Sequence, residues 1–285
     1  MQLTAYQKGI GAMLIATILF STSGLFVKLL EEDVYTIAGF RALFALFPFA
    51  IIYRRELWNV NAQMFLSAIL YACTCLFFVI ATKKTTAANA IFLQFTAPLY
   101  VLIGEPLIFG LKYKKLDILT VLAVLVGMGC FFHDDLGTGD MIGNLIALVS
   151  GVTLAGFMLN QRKNSQQYHA SAIFWGNILL VGFCFFFLPS DMAPSPVEWG
   201  MLLFLGVFQI GIAFSFFTFA LKRVLAVEVS LMGTLEPILN PIWVVVGYGE
   251  FPTTWAMAGG GIIVGTLIYR TIYLSRRSAI ADEEF

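Results

Sequence analysis

Along this chain, runs of about twenty almost wholly apolar residues alternate with short polar breaks. The segment "ILTVLAVLVGMGCFF" (118–132) has none of the polar alternation of an outer-membrane strand, which is about ten residues long and faces lipid on one side only. The runs are therefore predicted to be helices. Crossing a hydrocarbon layer of roughly 30 Å takes about 20 residues, so the pattern predicts ten transmembrane helices. They fall near 8–30, 35–53, 62–82, 87–110, 114–132, 140–159, 170–189, 198–220, 226–249 and 253–274. The first run is longer than a secretory signal core, and "STSGLFVKLLEED" (21–33) offers no cleavage pattern, so it is expected to be a retained helix.

Composition narrows the class. The 285 residues are 59% hydrophobic and 12% charged, about half the charge of a soluble domain. Cys73, Cys75, Cys130 and Cys184 lie within or at the edges of spans and read as small apolar filler. His133 and His169 are the two histidines, and "GGG" (259–261) lacks the Lys-Ser/Thr of a phosphate loop. No cofactor, metal, catalytic residue or nucleic-acid partner is expected. The expected surroundings are a lipid bilayer and a small-molecule substrate, with homo-oligomerisation left open.

One motif is written twice. "FFVIATKKTTA" (77–87) recurs as "FFTFALKRVLA" (216–226), an offset of 139, and Pro98 and Pro237 follow at the same offset. "GAMLIATILFSTSG" (11–24) aligns with "GNLIALVSGVTLAG" (143–156) through Gly11 with Gly143 and Gly24 with Gly156. Basic residues collect on cytoplasmic loops. With the N-terminus inside, all the Lys and Arg at span ends and loops lie on the inside except Lys28, Lys83 and Lys84 at outside ends, so both termini are expected to be cytoplasmic. The two copies of the motif end spans 3 and 8. Five spans is an odd number, so the second half enters the membrane inverted, the arrangement of transporters that alternate access around a site near the midplane.

These residues resemble the drug/metabolite transporter superfamily, in its EamA-type branch of ten-span proteins with two EamA repeats. The resemblance is carried by "FSTSGLFVK" (20–28), "FRALFALFPF" (40–49), "TAANAIFLQFTAPL" (86–99) and the segment 205–250 followed by "GGGIIVGTLIY" (259–269). It implies an all-α integral membrane protein of two inverted five-helix repeats, 8–132 and 140–274, with a cytoplasmic tail at 275–285. It further implies a secondary transporter without an ATP-binding domain, an exporter or exchanger of amino acids or related metabolites in a bacterial-type inner membrane. One departure is Gly249-Glu250 after span 9, for which the repeat position of the glutamate is Leu111.

Candidate site residues follow from cost. A charge deep in a span is expensive, and Glu236 sits in span 9; it is the candidate carboxylate for a substrate amine or for proton coupling. Asn240 and Trp243 share its face at helical steps. Gln94 lies on the corresponding face of span 4. Pro98, Pro237 and Pro241 interrupt these helices and point to a site where helices break. Thr22, Tyr71, Asn160, Trp175 and Gln209 complete the substrate-binding set, with Tyr71 and Trp175 as aromatic walls. Arg41 reads as structural before functional, snorkelling or pairing with Glu31, Glu32 or Asp33, with a substrate carboxylate as the functional alternative, and Glu105 as a partner of Lys112 or neighbouring lysines. Each basic pair of the repeated motif is expected to close the C-terminal end of its own helix. The alternatives are a non-transporting receptor or assembly protein, which would lack a polar cavity between the halves, and an intramembrane enzyme, for which a nucleophile with a base is missing.

Overall fold

The computed structural model describes residues 4–110, 115–130, 138–221, 223–224, 229 and 232–283. Its helices are α1 (Ala5–Ser21), α2 (Ser23–Leu29), α3 (Val34–Ile52), α4 (Ala62–Lys84), α5 (Ala87–Gln94), α6 (Ala97–Phe109) and α7 (Lys115–Cys130). They continue with α8 (Thr138–Lys163), α9 (His169–Phe186), α10 (Pro196–Leu203), a π-helical stretch Phe204–Ile212, α11 (Ala213–Leu221), α12 (Glu236–Tyr248) and α13 (Thr254–Glu283). The described residues contain no strand. Helices suit this chain because every backbone donor and acceptor in lipid must be satisfied within the segment.

Seven helical stretches among the described residues are long and apolar enough to cross a membrane: Ala5–Leu29, Val34–Ile52, Ala62–Lys84, Ala87–Phe109, Met141–Lys163, Gln166–Phe186 and Pro196–Ala220. The other three expected spans fall on α7, α12 and α13, beside residues outside those described. Leu107, Phe186 and Val246 are each about four-fifths exposed (80%, 83% and 79%), as suits side chains that meet lipid instead of water. The protein is an all-helical integral membrane protein.

Helix starts are written locally. The Thr4 hydroxyl accepts from Gln7 N–H (3.2 Å) while Gln7 Oε1 accepts from Thr4 N–H (3.0 Å), a reciprocal cap. Ser195 and Glu198 repeat the device ahead of α10, and Asp33, Asn61 and Thr86 cap α3, α4 and α5 with single side-chain oxygens.

The breaks are what position the site. α1 and α2 form one span interrupted at Thr22, and α5 gives way to α6 at Phe95 and Thr96. α6 and α12 correspond residue for residue at the offset of 139. Each is 13 residues long, carries a proline in its first turn (Pro98, Pro237) and ends at a left-handed glycine, Gly110 (φ 67°) and Gly249 (φ 76°). The left-handed region costs an L side chain but not glycine. Gly249 therefore does have a counterpart in the first half; only the glutamate is unmatched, and Leu111 lies outside the described residues, as do His133, Lys112 and Lys222.

Main interfaces join the two halves. α4 packs on α8 and α9; α11 packs on α1, and the π stretch on α3. α5 and α6 lie against α8, while α12 lies against α1 and α2. α3 with α9, α5 with α12 and α7 with α13 pair parts of corresponding spans. Replacing each span by its counterpart five spans on leaves these main pairings unchanged.

Candidate functional site

Breaking a helix frees carbonyls that need other donors, and the α1–α2 break recruits them from its own sequence. Ser21 Oγ donates to Ile18 O (2.8 Å) and Thr22 Oγ1 to Leu19 O (2.7 Å). From the π stretch, Gln209 Nε2 donates to Phe20 O at 3.4 Å. Trp243 of α12 donates its indole N–H to Ser21 Oγ (2.9 Å). One turn earlier on α12, Asn240 packs so closely on Gly24 that a Cβ there would overlap its amide. Thr22, Gln209, Trp243 and Asn240 therefore meet at one break, and Glu236 lies on the same face of α12, one turn before Asn240.

Several polar atoms of this interior are unmatched. Asn240 is fully buried, and neither its Oδ1 nor its Nδ2 has a partner among the described residues. The same holds for Gln209 Oε1 and Asn177 Oδ1. A buried polar group left unpaired costs about 1–3 kcal/mol, and a group that reached these atoms could recover it. Arg41 is the largest such cost. It is 7% exposed, its Nε and Nη1 lack partners, and no ion pair ties it to Glu31, Glu32 or Asp33 among the described residues. α3 is pressed against the π stretch at this level: a Cβ on Gly206 would come within 2.6 Å of Arg41 O. Elements of both halves close around it, α4 through Cys75 and α9 through Leu180. The space beside it, bordered by Ala42, Cys75, Leu180 and Ile210, admits no water.

The remaining expected residues are spent differently. Tyr71 receives a long hydrogen bond from Asn177 Nδ2 (3.4 Å) and packs against Phe157. Gln94 donates to Ser150 Oγ (2.7 Å), which donates in turn to Thr74 O (3.1 Å), tying the α5–α6 break to α8 and α4. Asn160 donates to Gln63 O and Ser67 Oγ, and Trp175 to Leu57 O (3.1 Å), so both serve helix-to-helix joints apart from the break. Arg41 and Asn177 are the interior groups most underrated by sequence. The available signal for Arg41 was the one that singled out Glu236, a charge deep in a span.

One end of the bundle is clasped by charge. Lys28 Nζ lies 2.7 Å from Glu250 Oε2 and donates to Thr85 O (2.8 Å), while Glu250 Oε1 accepts from Ala87 N–H (2.7 Å). The clasp joins α2, the α4–α5 turn and the loop after α12, and it accounts for Lys28, which defied the charge rule. Lys83 caps Leu30 O at the end of α2, not its own helix, because α2 ends beside α4. Arg223 does cap its own helix, at Phe219 O (3.1 Å). Toward the opposite end Glu105 pairs with Arg162 of α8, since α6 packs along α8; its expected partner Lys112 lies outside the described residues. Arg270 and Asp117 join α13 to α7 at 3.1 Å.

Comparison with known proteins gives the same class. The model of the EamA-like transporter family matches twice, over residues 7–132 and 141–271. An uncharacterized transporter of Archaeoglobus fulgidus is 23% identical over 266 residues, covering 91% of this chain and 95% of its own. Human solute carrier family 35 member G1 is 23% identical over 287 residues, covering 90% of this chain and 77% of its own. A protein crystal structure superposes with a TM-score of 0.62 at 20% identity, covering 95% of this chain and 98% of its own, a likeness of fold.

Proposed function

Because the chain belongs to the EamA-like transporter family, we propose that it is a secondary transporter exporting or exchanging amino acids or related small metabolites. The unmatched interior atoms of Arg41, Asn177, Gln209 and Asn240 carry this reading. In this reading the amides of Gln209 and Asn240 stand with Glu236 at the α1–α2 break, and Arg41 borders Ile210, the residue after Gln209. A zwitterion offers both charges that such a set lacks. Alternating access would come from ten spans arranged as two inverted halves, 8–132 and 140–274, with both termini and the tail 275–285 in the cytoplasm of a bacterial-type inner membrane. The exchange symmetry of the interfaces and the matched helices α6 and α12 support that arrangement. Glu236 is the candidate for proton coupling.

The test is flux in proteoliposomes with a panel of labelled amino acids and metabolites under opposed proton and substrate gradients. Transport of at least one amino acid by the native chain, reduced about tenfold or more in Glu236→Gln, is the expected result, in line with the loss of a charged contact. Absence of flux for the whole panel overturns it. The closed packing beside Arg41 favours a second reading, a non-transporting receptor or assembly protein; binding of a panel member without flux would select that one.

A further inference from the structure

A groove of about 820 Å³ opens between α1, the end of α3 and α11, away from the Arg41 set. Its walls are apolar and partly exposed: Ile15 is 44% and Ile52 52% exposed, with Phe219 and Ile212 beside them. Polar groups stand at its helix-end rim, where Lys8 and Arg223 line it together with Gln7 and Tyr53. Arg54 and Arg55 follow Tyr53 directly, and both are exposed. The described residues place no carboxylate on the lining.

The floor is glycine, and the sequence repeat shows why this matters. Gly143 touches the α4–α5 turn, where a Cβ would fall 2.7 Å from Thr85. Its sequence counterpart Gly11 has nothing within 4 Å of a Cβ, while Gly9 makes the close approach to Val224 and Arg223. The second half thus uses its glycine to pack two elements together, whereas Gly11 leaves space open to the groove.

We propose that this groove holds one anionic phospholipid, an acyl chain along Gly11, Ile15 and Ile52 and the phosphate on Lys8 and Arg223. The occupant follows from charge complementarity and depth. Apolar walls continuous with the hydrocarbon layer favour a chain, a rim of cations without a lining carboxylate favours a phosphate, and a neutral head group would leave those cations unanswered. The groove of about 570 Å³ between α12 and α13 makes the contrast: Phe92, Pro241, Val245, Phe251 and Met257 line it with no charged group, so it has nothing with which to select a head group.

The experiment is native mass spectrometry of the full chain in detergent, titrated with dioleoyl-phosphatidylglycerol, dioleoyl-phosphatidylcholine or glycerol 1-phosphate. One retained phosphatidylglycerol per chain is expected, preferred about tenfold over phosphatidylcholine, on the scale of one to two basic residues at a charged surface. The double variant Lys8→Gln/Arg223→Gln, exposed at both positions, should lose the preference while still unfolding cooperatively, its melting temperature lowered only by the lost cap at Phe219 O. Gly11→Leu should fill the groove and lose retention of either lipid. A preference that survives the charge variant overturns the proposal, as does Gly11→Leu retaining phosphatidylglycerol at the native level. Glycerol 1-phosphate binding as tightly as the lipid would mark a free-phosphate site instead, and a dimer dispersed by Gly11→Leu would mark a second copy as the occupant.

Discussion

At the scale of single residues, Arg41 sets the terms. An unpaired buried charge is a standing cost, and removing it should help the resting fold while harming function. Arg41→Met is expected to raise thermal stability by about 1–4 kcal/mol, the range seen when buried ionic groups give way to apolar ones. It should also abolish the stabilisation that a transported substrate confers on the native chain. Thermal unfolding with and without substrate reads both; a drop in stability would show Arg41 to be held by partners and structural. Asn240 belongs to the same logic, since a fully buried amide with neither atom satisfied is tolerated where a ligand can complete it.

At the scale of elements, the clasp and the breaks divide the work. Lys28, Thr85, Ala87 and Glu250 hold α2 to two loops at one end, and Glu250 is the position that the repeat leaves unmatched. By the offset of the first-span glycines, Lys28 corresponds to Asn160, which bonds to α4 instead. Toward the other end the described residues offer the more exposed Glu105–Arg162 pair, so charge among them favours closure at the Lys28 end. Glu250→Gln should open that end, raising the reactivity of an engineered cysteine at Thr86 about five- to tenfold, the effect of roughly 1 kcal/mol in a partly buried ion pair. Exchanging the charges, Lys28→Glu with Glu250→Lys, should restore protection. Unchanged reactivity in Glu250→Gln would make the pair incidental.

At the scale of the whole molecule, the halves are interleaved. Because α4 rests on α8 and α9, and α11 on α1, neither half can bury its interior faces alone. Fragments 1–137 and 138–285 expressed separately should insert but be degraded, and co-expression should recover a complex that unfolds cooperatively. Separate fragments with the native melting temperature would contradict that interleaving.

Much of this was legible along the chain. The lengths of apolar runs announced membrane helices, and the offset of 139 that joins Pro98 to Pro237 anticipated the match of α6 to α12; the caps at Thr4, Asn61, Thr86 and Ser195 were equally local but went unread. These are local properties: hydrophobic length, capping chemistry and proline depend on neighbours within a few positions. The fate of polar side chains is not local. Trp243 finds Ser21 across 222 positions, Ala87 finds Glu250 across 163 and Gln94 finds Ser150 across 56. Sequence could name the costly residues, Glu236 among them, but not tell those already satisfied, such as Gln94 and Asn160, from those left waiting, such as Arg41 and Asn240. Only the packing of distant helices decides that, because a buried polar group is spent or available according to what the fold sets within hydrogen-bond reach.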